Sequence, residues 1–187
     1  MKKITLMLVA IISLSNATAQ IRVGKAILPY EENFAGTDLK LNGAGMRKVL
    51  WIDMYAGGLY MANKSNDPKE ILDANETMAI KLNVVSGFVT QKKMIKAVQD
   101  GFVNATFGNT KALDERINKF VGFFSEPIVK NDIFDLVYIK DKGIKAFKNK
   151  KELGDIEGRD FKYALFKIWL GDQPASEEIK LGMLGIQ

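Results

Sequence analysis

Arg47 closes the segment Leu41-Asn42-Gly43-Ala44-Gly45-Met46-Arg47, in a chain whose other arginines are only Arg22, Arg116 and Arg159. The planar fork of a guanidinium holds a carboxylate through two parallel N–H donors, a geometry lysine does not reproduce. The competing uses of such a residue are a surface ion pair or an alkyl stem packed on apolar surface. A second group follows in Asp53-Met54-Tyr55-Ala56-Gly57-Gly58-Leu59-Tyr60. Tyr55 and Tyr60 are five residues apart, so in an unbulged strand they point to opposite faces, one free to line a cavity while the other packs or meets solvent. Trp169, in Ile168-Trp169-Leu170-Gly171-Asp172, reads as core or cavity wall.

The chain contains no histidine and no cysteine. That excludes Ser-His-Asp and Cys-His catalysis, zinc sites built from those residues and every disulfide. The carboxylates are scattered over polar faces, with no acid and base paired for proton transfer. Gly43-Ala44-Gly45 is followed by no third glycine and opens no helix, so it is no dinucleotide site. Its glycines are expected to allow a tight turn at a strand connection or a close backbone approach.

The elements that must position these groups follow from periodicity. Strands are expected at Asp38 to Leu41, Val49 to Met61 and Thr77 to Val85, with a short helix at Pro68 to Leu72 capped by Asp67. Met94, Ile95, Val98 and Phe102 make one stripe of a helix over Thr90 to Ala105. Leu113, Ile117, Phe120, Val121 and Phe124 do so over Thr110 to Phe124, with Thr110 placed to cap. A hairpin is expected at Ile133 to Lys148, turning at Lys140-Asp141-Lys142-Gly143. A helix over Arg159 to Leu170 carries Phe161, Ala164, Leu165 and Ile168, and Ser176 caps a last helix through Leu184. The pattern predicts one α+β domain, helices laid on one face of an antiparallel sheet.

Residues 1–19 read as a cleavable signal peptide: basic Lys2 and Lys3, an apolar run Ile4 to Leu14, and Ala17-Thr18-Ala19 before Gln20. The apolar run is about half the roughly twenty residues a membrane span needs. Cleavage is expected after Ala19, leaving a domain over 20–187, and the short leader has a bacterial look that points to the periplasm. Without Lys2 and Lys3 the net charge falls from +5 to about +3, too mild to argue for nucleic acid or anionic lipid. The lysines crowded between Lys140 and Lys151 alternate with Asp141, Glu152 and turn residues, as in a solvated hairpin.

Taken in order, Leu41 to Arg47, Tyr55-Ala56-Gly57-Gly58-Leu59-Tyr60-Met61, Gly101-Phe102 and Phe166-Lys167-Ile168-Trp169-Leu170-Gly171-Asp172 resemble the chalcone isomerase family, specifically its bacterial chalcone isomerase-like branch. The resemblance covers nearly all of the chain after residue 19. It implies an open-faced β-sandwich, a large antiparallel sheet with helices on one face and a ligand cleft between them. In the plant enzymes an arginine at the position of Arg47 holds the substrate phenolate. A threonine that assists the ketone corresponds to Tyr55, a catalytic tyrosine to Phe107, and a second threonine to Ile168. The hydroxyl is then absent at Phe107, and the network that cyclises a chalcone is incomplete.

The family's plant fatty-acid-binding branch pairs the arginine with a tyrosine on a carboxylate. Carried over, this implies Arg47 and Tyr55 at the head group, with Phe107 and Ile168 among the ligand-binding positions. Eight extended steps would put Arg47 and Tyr55 roughly 26 Å apart, so sharing a ligand requires the chain to reverse soon after Arg47. The first expectation is an exported, non-catalytic binder of a fatty acid or similar amphipathic carboxylate, needing no cofactor and no metal. The alternatives are an isomerase or intramolecular lyase acting on a phenolic enone with Arg47 as electrophile, and a structural or partner-binding module with an exposed apolar patch in place of a cavity.

Overall fold

The structure is a computed structural model that describes residues 19–186. The leader expected over Met1 to Ala19 lies, apart from Ala19, outside the described residues. Strands β1 (Gln20–Val23) and β2 (Ala26–Pro29) form a separate two-stranded ribbon. Then come β3 (Glu31–Phe34), β4 (Thr37–Val49), β5 (Ile52–Met61), β6 (Met78–Val84), β7 (Ile133–Ile139), β8 (Gly143–Lys148) and β9 (Lys151–Glu157). These seven form one curled antiparallel sheet in simple chain order.

Helices α1 (Pro68–Asp73), α2 (Gln91–Ala105), α3 (Asp114–Gly122), α4 (Arg159–Leu170) and α5 (Glu177–Met183) occur as the periodicity demands. The Asp67 carboxylate accepts from the Lys69 and Glu70 backbone amides, Thr90 caps α2 through the Lys93 amide, and Ser176 caps α5 through the Ile179 amide. Thr110 does not cap α3. Residues 111–113 form a turn instead, and the helix starts after Leu113 without a side-chain cap.

The sheet buries both of its faces. On one, the ribbon residues Ala26 and Leu28 close over Leu39, Leu41, Ala44, Met46, Ala56 and Tyr60. On the other, the helices cover a larger core that includes Leu59, Leu82, Phe102, Phe120, Leu136, Phe161 and Ile168. Tyr55 and Tyr60 point to opposite faces as their spacing predicts. Tyr60 donates to the Pro29 carbonyl on the ribbon side, and Tyr55 meets Trp169 on the helix side.

The Gly43-Ala44-Gly45 segment is not a strand connection. It lies inside the thirteen-residue β4, and the chain reverses later, at Leu50 and Trp51. Close approach is the use made of its glycines. A Cβ on Gly45 would stand 2.8 Å from the Ile179 Cα, and one on Gly43 would run into the Gly182 carbonyl of α5.

Two lysines of the β7–β9 hairpins pair across the surface, Lys145 with Glu152 and Lys151 with Glu126, while Lys148 pairs with the buried Asp132. Lys162 behaves differently. It is fully buried on α4, and its ammonium donates to the carbonyls of Ile71, Leu72 and Ala74 at the end of α1. Burial, with the nearby Arg159 charge, pulls its pKa down to about 8.

Candidate functional site

The direction in which Arg47 points is decided five residues earlier. Leu39 and Leu41 of β4 face the ribbon, and with strict alternation Arg47 would too. The register of β4 against β5 instead shifts between Leu41 and Gly43. This one-residue bulge at Asn42 inverts the alternation, so that Ala44 and Met46 take the ribbon side while Gly43, Gly45 and Arg47 take the helix side. Asn42 secures the bulge. Its side-chain amide donates to the Ser65 and Met183 carbonyls at 2.9 Å each, and its oxygen accepts from the Ser65 amide at 2.9 Å.

The reversal that a shared ligand requires comes three residues after Arg47. Leu50, with φ of +56°, turns the chain, and Arg47 and Tyr55 become direct cross-strand partners on one face. Such partners have Cβ atoms about 5 Å apart. The Tyr55 hydroxyl accepts from the indole N–H of Trp169 at 3.0 Å. Its own proton is thereby left to be donated elsewhere. Burial pushes the hydroxyl above its ordinary pKa, while the indole N–H and the Arg47 charge oppose that shift, so Tyr55 is a neutral donor at physiological pH.

These groups border a cavity of about 290 Å³ between sheet and helices. Leu82 and Leu136 contribute from the sheet, Val98 from α2, Phe120 from α3, and Ile168 and Trp169 from α4. Gly101 on α2 lets α4 come close, since a Cβ there would stand 2.8 Å from the Ile168 side chain. Asp100 also reaches the lining but is salt-bridged to Lys96 at 2.7 Å. Arg47 is the only cation among the lining residues. Its Nη1 donates to the Lys48 carbonyl at 2.9 Å, and among the described residues no carboxylate lies within 4.0 Å of the guanidinium. A second recess of about 230 Å³, lined by Val49, Met54, Val89 and Lys93, shares Arg47, Tyr55, Met94 and Ala97 with the first. The polar pair therefore stands where an inner apolar chamber meets an outer one.

A curled antiparallel sheet with one helical face and a chamber between the layers is the architecture that the motifs imply, and the family profile for chalcone isomerase-like proteins matches residues 20–185. This chain belongs to the chalcone isomerase-like family. Among solved structures it is similar to an Arabidopsis thaliana fatty-acid binding protein, with a TM-score of 0.70 and 18% identity over 89% of this chain and 96% of that one. At that identity the likeness establishes the fold. No curated protein sequence matches the chain.

The structure brings together three of the four positions carried over from the chalcone isomerase resemblance. Arg47, Tyr55 and Ile168 line the same chamber. Phe107 does not. It follows α2 with φ of +52°, is 64% exposed, and lies under the Lys167 ammonium, 4.8 Å from its ring centroid, on the outer surface. Sequence reasoning read Trp169 as core or cavity wall, and it does line the chamber, but its bond to Tyr55 and the bulge at Asn42 were missed. The Trp169 bond to Tyr55 joins residues 114 apart, and no local pattern encodes it. The Asn42 bulge did leave a trace, a polar residue that strands disfavour lodged between Leu41 and Gly43. No group of metal-ligating side chains occurs among the described residues.

Proposed function

We propose that this protein binds a fatty acid or a similar amphipathic carboxylate in the chamber between sheet and helices, without catalysing its conversion. The observation that carries this reading is the pairing, on one sheet face, of a guanidinium that has no carboxylate partner among the described residues with a tyrosine hydroxyl whose proton is free. Both stand beside an apolar chamber. A carboxylate placed there accepts two N–H bonds from Arg47 and the O–H of Tyr55, while the alkyl tail lies along Leu82, Leu136, Val98 and Ile168. Partly shielded from water by apolar walls, such charge-assisted bonds are stronger than in open solvent. The fold shared with the Arabidopsis fatty-acid binding protein supports the same reading. Nothing in the chamber pairs an acid with a base, since Asp100 is engaged by Lys96 and Tyr55 is held neutral.

The reading includes export by the leader, with Gln20 as the mature N-terminus; the family match begins at that same residue. Native mass spectrometry of protein taken from a periplasmic extract, followed by denaturing extraction, tests both parts. The expected result is a chain starting at Gln20 with a carboxylic lipid bound, lost in Arg47→Ala and weakened in Arg47→Lys. An empty chain that also refuses added oleate overturns the binding reading. Turnover of a phenolic enone that Arg47→Ala abolishes would establish the isomerase instead.

A further inference from the structure

The outer recess opens beside the tip of the β4–β5 hairpin, and that tip is apolar. Leu50 is 79% exposed and Trp51 83%, and the preceding Val49 lines the recess itself. Phe88, 58% exposed, precedes Val89 on the same lining. Lys93, also on the lining, holds its ammonium 5.7 Å from the Phe88 ring centroid. Exposed aromatic and aliphatic side chains thus crowd the mouth through which a ligand would reach Arg47 and Tyr55.

Two features show that stability did not choose these residues. The left-handed conformation of Leu50 is one that glycine or asparagine adopts far more readily. Lys92 and Lys93 occupy the first turn of α2, which has no acidic residue, so both stand against the helix dipole. Neither has a carboxylate within 4.0 Å among the described residues. Of the carboxylates near the hairpin tip, Glu178 is held by Lys48 at 2.7 Å, and Asp53, two residues beyond Trp51, stands opposite the same lysine across the strands. Arg47, Lys48, Lys92 and Lys93 thus outnumber Asp53 and Glu178 around an apolar mouth, although the net charge of the whole chain is mild.

We propose that this mouth docks on anionic phospholipid bilayers, Leu50, Trp51 and Phe88 entering the headgroup boundary while Lys92 and Lys93 meet the phosphates. Tryptophan with an apolar body and a polar edge settles at that boundary, and basic residues beside it add attraction to anionic lipid. Resting on the ligand reading above, the proposal makes the bilayer the source or destination of the bound carboxylate. The ligand passes between membrane and chamber without crossing open water.

The test uses the chain from Gln20 onward and vesicles of phosphatidylglycerol with phosphatidylethanolamine, against vesicles of phosphatidylcholine. The protein is expected to float with the anionic vesicles and to lose partitioning at least tenfold in Leu50→Asn/Trp51→Ser. Asparagine at position 50 suits the turn, and retained oleate binding in vesicle-free buffer shows that the variant is folded. Of the two tryptophans only Trp51 is exposed, so a blue shift of emission on mixing reports its entry into lipid. Failure to float, equal partitioning onto phosphatidylcholine, or a dimer that the double variant abolishes in place of flotation each overturns the proposal. Arg47→Ala separates the two readings, because it is expected to float and not to bind oleate. A wild-type chain that floats yet takes up no oleate keeps the surface and overturns the ligand.

Discussion

Tyr55→Phe separates a head-group role for the hydroxyl from a packing role, because the structure attaches a different consequence to each. The substitution keeps the ring and removes one oxygen. Trp169 is only 4% exposed and its indole N–H has that oxygen as acceptor. Leaving a buried donor without a partner costs about 1–3 kcal/mol of stability, readable as a lowered urea midpoint with an unchanged m-value. The lost bond from the hydroxyl to a ligand carboxylate is a separate quantity. As a hydrogen bond to a charged group it is worth about 1.5–3 kcal/mol, a roughly 10- to 150-fold weaker Kd for oleate by calorimetry. Trp169→Phe supplies the control. In that background no indole N–H is orphaned, so Tyr55→Phe should cost little stability while the loss of affinity persists. If Tyr55→Phe lowers stability and leaves oleate affinity unchanged, the hydroxyl serves only to satisfy Trp169, and the assignment of Tyr55 to the head group is refuted.

Gly45→Ala places a methyl 2.8 Å from the Ile179 Cα and 2.9 Å from the Glu178 carbonyl oxygen, backbone atoms that cannot swing aside. The overpacking should lower stability by about 1–3 kcal/mol, or Tm by roughly 2–12 °C, while Gly87→Ala, which meets nothing within 4 Å, stays within error in the same thermal melt. Lys162 makes stability depend on pH. Its folded pKa near 8 lies below the ordinary 10.5, so between these values the unfolded chain binds more protons and this group's contribution rises with pH. Wild type should gain about 2 kcal/mol relative to Lys162→Met between pH 7.5 and 10 in urea titrations. Parallel pH curves for the two proteins would mean that the carbonyls of Ile71, Leu72 and Ala74 keep the ammonium protonated throughout.

What could be read along the chain was whatever local chemistry encodes. The 3.6-residue stripes of α2 and α4, the caps at Asp67 and Ser176, and the turn after Ile139 are each written within a few residues of one another, and each formed, whereas the cap expected at Thr110 did not. The ordered motifs from Leu41 to Asp172 carried the fold, and the absence of histidine and cysteine removes whole classes of catalysis. The short strands β1, β2 and β3 were not legible, since four residues are too few to show an alternation.

The site itself was decided in three dimensions. Arg47 and Tyr55 could be named, but a single bulged residue, Asn42, determines which face of the sheet Arg47 occupies, and the turn at Leu50 determines that the two stand side by side. Phe107 shows the reverse case, a position matched along the chain that the end of α2 turns outward onto the surface. A strand's pattern has period two, so one inserted residue reverses every side chain beyond it without changing the composition. The bond from Trp169 to Tyr55 and the three carbonyls around Lys162 join residues about ninety to more than a hundred positions apart. Contacts of that range depend on how α4 settles on the sheet and on α1, which only the packing of the whole core determines.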